Sequence, residues 1–93
     1  PGGDIPGAQI DLIIDRADRT MSLCEMKFAN APYIVTKDYA LKINQKRSTF
    51  QALSKTKKTL FNILIAPYGA VENASYHSAF DQHLTLEALF YPV

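Results

Sequence analysis

Short apolar runs punctuated by polar turns dominate the first third of the chain, and a helical period replaces them in the middle. Gln9-Ile10-Asp11-Leu12-Ile13-Ile14-Asp15 and Met21-Ser22-Leu23-Cys24-Glu25-Met26-Lys27-Phe28 read as two strands. The polar stretch 16–20 between them has the length of a hairpin connection. Asn30-Ala31-Pro32 breaks the second strand. Thr36 then predicts a helix N-cap, with Asp38 in the first turn where the macrodipole favours an acid. That helix runs to about Leu53 and carries Tyr39, Ile43, Phe50 and Leu53 on one stripe. After a polar loop over 54–58, residues 59–66 are apolar on both faces apart from Asn62, as expected of a central strand covered on both sides. Pro67-Tyr68-Gly69 is a turn, 71–78 a polar loop and 79–84 a weaker strand. Thr85 caps a last short helix over 86–90. Residues 1–8 form a Gly/Pro-rich leader without periodicity, expected to be mobile. The order β-β-α-β-β-α predicts a single α/β domain over 9–93.

Composition narrows the class without naming a function. A chain of 93 residues, 47% of them hydrophobic and 20% charged, is ordinary for a globular domain. At this size it buries only about 60 to 65% of its unfolded surface, so its core is modest. The single Cys24 forms no internal disulfide and points to a reducing compartment, with the cytoplasm as the expected location. No apolar run approaches the ~20 residues that span a bilayer, so a membrane partner is not expected. The opening Pro1-Gly2-Gly3 lacks a Met, which suggests a fragment of something longer.

Charge changes the picture more than composition does. From Tyr39 to Val71 the chain has six basic residues (Lys42, Lys46, Arg47, Lys55, Lys57, Lys58) and no acid. Before Tyr39 the acids outnumber the bases. An acidic zone that attracts a cation beside a basic zone suits a polyanion held over a metal site, and the six basic residues are the candidate nucleic-acid contacts. A solvated helix face with a lysine-rich loop explains the same run without function.

Ionisable groups inside apolar strands are the strongest chemical signal. Side chains alternate along a strand, so Glu25 and Lys27 share a face while Cys24, Met26 and Phe28 take the other. If the two strands pair antiparallel, Asp11 joins Glu25 and Lys27. Two acidic oxygen donors for a divalent cation and an adjacent ammonium are the parts needed to activate water against a phosphodiester. The competing reading is a solvated cross-strand pair of Asp11 with Lys27.

Lys46 falls in the middle of the helix stripe that should face the sheet. Either it reaches the Asp11 and Glu25 carboxylates or a bound phosphate, or its stem packs while the ammonium snorkels to water. The remaining candidates are weaker. His77 and His83 match no zinc spacing and read as surface or edge residues. Asp15 belongs to the turn beside Arg16. No serine has a nucleophile-elbow context and no Gly-rich phosphate loop is present.

The run Gly7-Ala8-Gln9-Ile10-Asp11-Leu12-Ile13-Ile14-Asp15-Arg16, the gap to Glu25-Met26-Lys27, and the closing Leu84-Thr85-Leu86-Glu87-Ala88-Leu89-Phe90 resemble the PD-(D/E)XK nuclease superfamily. Within it they resemble the C-terminal region of bacterial AAA-type ATPases. The likeness covers nearly the whole chain. It implies a restriction-endonuclease-like core whose first helix is missing here, and an upstream ATPase domain in the same polypeptide. It implies Asp11 and Glu25 as ligands of Mg2+ or Mn2+, the Met26 carbonyl as a third ligand, and Lys27 as the catalytic group that orients the water; Lys46, singled out by its place in the helix stripe, is a further catalytic candidate. The expected activity is hydrolysis of DNA. The alternative is an inactive domain of the same fold that binds nucleic acid or serves assembly, including as a homodimer, since uncovered sheet surface would need a partner.

Overall fold

The computed structural model describes residues 3–5 and 8–85. They form two sheets and two helices in the order β1 (Gly3–Ile5), β2 (Ala8–Ile10), β3 (Leu12–Asp15), β4 (Thr20–Met26), α1 (Lys37–Ser54), β5 (Thr59–Ile65), α2 (Ala74–Ala79) and β6 (Gln82–Leu84). A mixed four-stranded sheet of order β3-β4-β5-β6 carries α1 and α2 against it, and β1 and β2 make a separate antiparallel pair.

The predicted hairpin is present. β3 and β4 pair antiparallel with Leu12 opposite Cys24, and Arg16 N–H closes the turn on the Thr20 carbonyl at 3.0 Å. Arg19 adopts φ 65°, a left-handed conformation that supplies the reversal at some cost to a residue with a Cβ. From β4 the chain crosses through α1 to β5, which lies parallel to β4 with Glu25 opposite Leu64. β6 adds parallel to β5, so β5 is central, as the apolar run at 59–66 predicts.

Helix α1 starts where the sequence places it. The Thr36 hydroxyl accepts from Tyr39 N–H at 3.1 Å, and no Gly or Pro interrupts the next eighteen residues. Its end is a left-handed Lys55, whose N–H reaches the Gln51 carbonyl. Phe50 packs with Ile10, Leu23 and Leu60, while Ala40 and Ile43 pack with Val35, Leu64, Tyr76, Ala79 and Phe80. The helix therefore runs antiparallel to β5, its start over the carboxyl end of that strand. On the far face of the sheet Cys24, Ile63 and Ile65 are buried among Leu12, Met26 and Leu84.

Several expectations are corrected. The run 9–15 is not one strand, because a bend at Asp11 divides β2 from β3. Residues 3–5 of the expected leader form a strand. Leu53 is 52% exposed and drops off the buried stripe of α1. The expected loop 71–78 contains α2, capped by Asn73, whose side chain accepts from Tyr76 N–H at 2.7 Å. The weak strand at 79–84 shortens to 82–84 because Ala79 ends that helix. The predicted helix at 86–90 lies outside the described residues.

Candidate functional site

At the carboxyl end of β4, next to the carboxyl end of its parallel neighbour β5, the chain gathers Asp11, Glu25, Lys27, Tyr39 and Lys46. Ligands of open α/β sheets favour this position, because loops diverge there from strand ends. Strand geometry accounts for the grouping. Lys27 N–H bonds the Ile65 carbonyl at 2.9 Å, so Met26, one residue back, turns its N–H and carbonyl the other way, toward β3. The ladder ends at Leu12 opposite Cys24, and one step further Asp11 would stand opposite Glu25. At that step the Asp11 carboxylate replaces the missing strand partner, and its Oδ2 accepts the Met26 N–H at 2.9 Å. The break at Asp11 thus turns a ladder position into a fixed carboxylate.

Glu25 points to the opposite environment. Its side chain is only 7% exposed, and its Oε1 accepts from Lys46 Nζ at 3.0 Å across the gap between sheet and helix. Burial lifts the Glu25 carboxyl above the ordinary carboxylate range. Lys46 and, more weakly, Lys27 pull it back, while the Asp11 charge adds to the rise. Both readings of Lys46 contain part of the answer. The tip is bonded to a carboxylate, and the side chain keeps 31% of its surface in solvent. Around the pair only about 10 Å³ of space is left, bounded by Ile10, Leu23, Ile43, Arg47 and Asn62.

Lys27 does not pair with Asp11. Its Nζ lies 4.8 Å from the centre of the Tyr39 ring, a cation–π placement that holds the ammonium over the helix start. Tyr39 meets Tyr33 edge-on at 5.9 Å and lies near Phe80 at 6.2 Å. Its hydroxyl is buried and has no hydrogen-bond partner among the described residues. Burial, then the Glu25 charge, raises its pKa strongly, with Tyr33 and Asp11 adding to the rise, so the phenol stays protonated. The sequence marks Tyr39 only as part of an apolar stripe. The available signal is its seven-residue spacing from Lys46, which puts both polar tips on one side of α1.

The six basic residues do not form one surface. Lys46 is committed to Glu25. Lys42 and Lys55 are exposed on α1 and at its cap. Arg47, Lys57 and Lys58 line an open groove of about 470 Å³ with Ser48, Gln51, Thr59 and Leu60, at the other end of β5. Within it Lys58 is paired with Asp15 and Arg47 stands 3.9 Å from Asp81. Asp15 therefore ends β3 in an ion pair with the α1–β5 loop. His77 is exposed beside Tyr76, and His83 Nε2 lies 3.0 Å from Glu72.

Among the described residues no three His, Cys, Asp or Glu side chains converge as a metal cage. The oxygen groups at this end of β4 are the Asp11 carboxylate, which is bonded to Met26 N–H, and the Glu25 carboxylate, which is taken up by Lys46. Among the described residues no helix is long and apolar enough to cross a membrane. Comparisons with protein-family models, with curated proteins and with solved structures find no match to this chain.

Proposed function

We propose that this domain is a PD-(D/E)XK-type nuclease unit with a restriction-endonuclease-like core, hydrolysing phosphodiester bonds in DNA with Mg2+ or Mn2+ and working beside an ATPase domain of the same polypeptide. The observation that carries the reading is the Asp11 to Met26 hydrogen bond. It fixes an acid at a strand break, at the ladder step across from buried Glu25, which stands two residues before Lys27. In this reading Asp11, Glu25 and the Met26 carbonyl hold the cation, which when bound supplies Lewis acidity to the phosphodiester and to water. Lys27, held over the Tyr39 ring, faces the developing negative charge of the transition state. Lys46 favours the ionised form of Glu25 against the effect of burial and orients its carboxylate until ligand arrives. The groove around Arg47, Lys57 and Lys58 takes phosphates of the polymer away from the reacting bond.

A second reading is favoured by a different observation. Glu25 is already neutralised by Lys46, so the domain can hold nucleic acid or an assembly partner, a second copy included, without turnover.

Calorimetric titration of Mg2+ and Mn2+ into the full-length protein, beside a plasmid-cleavage assay, separates the two. For the nuclease, Asp11→Asn and Glu25→Gln lose metal binding and cleavage together, while Lys27→Ala keeps metal binding and loses cleavage by a hundredfold or so. Metal binding without cleavage in the wild type supports the second reading. No metal binding in any form rules out the nuclease.

A further inference from the structure

The face of the sheet turned away from the helices carries a cavity that the reading above leaves unused. Along β4, Thr20, Ser22 and Cys24 point to that face, and the ladder sets Ser22 between Ile14 of β3 and Phe61 of β5. A small side chain between two large ones leaves a hollow. It opens as a cavity of about 260 Å³ lined by Ser22, Phe61 and Ile63, by Gln82 of β6, and by Arg16, Asp18 and Thr20 at the hairpin turn. Sites for drug-sized ligands run to roughly 300 to 1,000 Å³, so this one suits a single ring system.

Its chemistry narrows the ligand further. Ser22 is 2% exposed, and its hydroxyl, on the wall of the cavity, makes no hydrogen bond among the described residues. The Gln82 amide, exposed on β6, is likewise without a side-chain bond there. A hydroxyl and an amide each donate and accept. Phe61, 36% exposed, and Ile63 add aromatic and aliphatic surface. The charges in the lining are Arg16 and Asp18, 3.6 Å apart, and Asp18 also accepts from the Thr20 hydroxyl, so they offset each other. An inserted phosphate or carboxylate would meet apolar walls and no net positive charge, while a purely apolar group would strand the Ser22 hydroxyl. A flat, neutral ring with donors and acceptors along its edge satisfies both demands.

We infer that this cavity holds an unpaired nucleobase, supplied either by a free nucleoside or by a single strand of nucleic acid. The Phe61 ring provides the stacking surface, and the Ser22 hydroxyl and Gln82 amide meet the edge of the base. The cavity sits toward the amino ends of β4 and β5, on the opposite face of the sheet from Glu25 and Lys46, and does not rest on the metal chemistry proposed above.

Two measurements on the full-length protein without divalent cations test this: fluorescence anisotropy of a labelled oligothymidylate, and saturation-transfer NMR with free thymidine. Thymine keeps the probe off any adenine site of an ATPase domain. Wild type should bind the oligothymidylate more tightly than a strand of equal length and charge that lacks its bases. Phe61→Leu keeps apolar surface but loses the ring, and should weaken binding by about fivefold to a hundredfold. Ser22→Ala should weaken it by roughly threefold to tenfold, the worth of one hydrogen bond. Its urea midpoint should match or exceed that of wild type, because no hydrogen bond of the folded protein is lost. Saturation transfer to thymidine that both variants diminish identifies free nucleosides as ligands, whereas binding of the strand alone identifies a base within a strand. Equal binding of the strand without bases, or an affinity unchanged in either variant, places the strand elsewhere and overturns the inference. Absence of binding by both probes overturns it as well. Failure of the nuclease reading is seen separately, in metal binding and cleavage, neither of which enters these measurements.

Discussion

Strand β4 meets a lysine–carboxylate pair at each end, and the two pairs differ in almost everything but composition. At its carboxyl end Glu25 is buried under α1 and bonded to Lys46. By its amino end Asp15 and Lys58 pair across loops, with 60% and 37% of their side chains exposed. In water a lysine–carboxylate pair gains little, because solvent screens the attraction and two long side chains lose freedom. Away from water the same pair is unforgiving, since removing one member strands a charge with no hydration. The difference is one of environment: the exposed pair staples a loop, whereas the buried pair ties the end of β4 to helix α1.

The largest expected effect breaks this contrast directly. Lys46→Met should destabilise the protein at neutral pH by about 3 kcal/mol, toward the lower limit for a buried pair because Lys46 is part exposed. Lys58→Met should cost under about 1 kcal/mol. The penalty in Lys46→Met should shrink as pH falls. A carboxyl whose folded pKa is raised binds its proton more tightly in the native state, so its contribution to stability falls as pH rises from the ordinary carboxylate range through the raised value. Losing Lys46 extends that window upward. Urea titrations of both variants from pH 4 to 8 check this, and equal losses at the two ends would erase the distinction.

A second test uses the neighbour of Glu25 on the opposite face. Burial, helped by the Glu25 charge, pushes the Cys24 thiol up to about 11. A raised thiol pKa stabilises the fold fully below the unfolded value near 8.5 and loses that contribution as pH climbs toward 11, by up to about 1.4 kcal/mol per pH unit. Wild type should therefore lose more stability than Cys24→Ala between pH 9 and 11. In Glu25→Gln, one contribution to the rise is gone, and the thiol should ionise at lower pH, read by thiolate absorbance. A Cys24 titration indifferent to Glu25→Gln would mean that the two faces of β4 are electrically isolated.

How much of this was legible in the sequence follows from the range of the interactions. The hairpin, the Thr36 cap and the central strand depend on local chemistry and period; the helix and the central strand appear within a residue or two of their expected bounds, whereas the first strand of the hairpin starts three residues late, at Leu12. Alternation along β4 accounts for Glu25 and Lys27 both meeting side chains of helix α1, Lys46 and Tyr39. What alternation does not encode is the bend at Asp11, which converts a ladder residue into a hydrogen-bond acceptor for Met26. Helix α2 was hidden because 71–78 looks polar, although Asn73 followed by Tyr76, Ala79 and Phe80 carries a cap and helical spacing. The basic residues misled for another reason. Neighbours in sequence on a helix, such as Lys46 and Arg47, point about 100° apart, so a basic run need not be a basic surface.

The smallest expected effect lies at the basic end and concerns backbone rather than charge. Lys55 closes α1 at φ 55°, a conformation in which its Cβ crowds the following carbonyl. Glycine reaches this region without that clash and is the preferred residue there, though it also gives the unfolded chain more freedom to lose. The two effects oppose each other, and relief of the clash is the larger. Lys55→Gly should therefore raise stability by about 0.5 kcal/mol, seen as a higher urea midpoint at unchanged slope. Because Lys55 is exposed and has no ion pair among the described residues, the variant also removes one positive charge beside the groove at little cost to the fold. If that groove carries phosphates, DNA binding by the more stable variant should weaken slightly and its dependence on salt should flatten by about one ion. A variant that gains stability and binds DNA with the same salt slope would leave the charge of Lys55 outside the polyanion path, and would narrow that path to Arg47, Lys57 and Lys58.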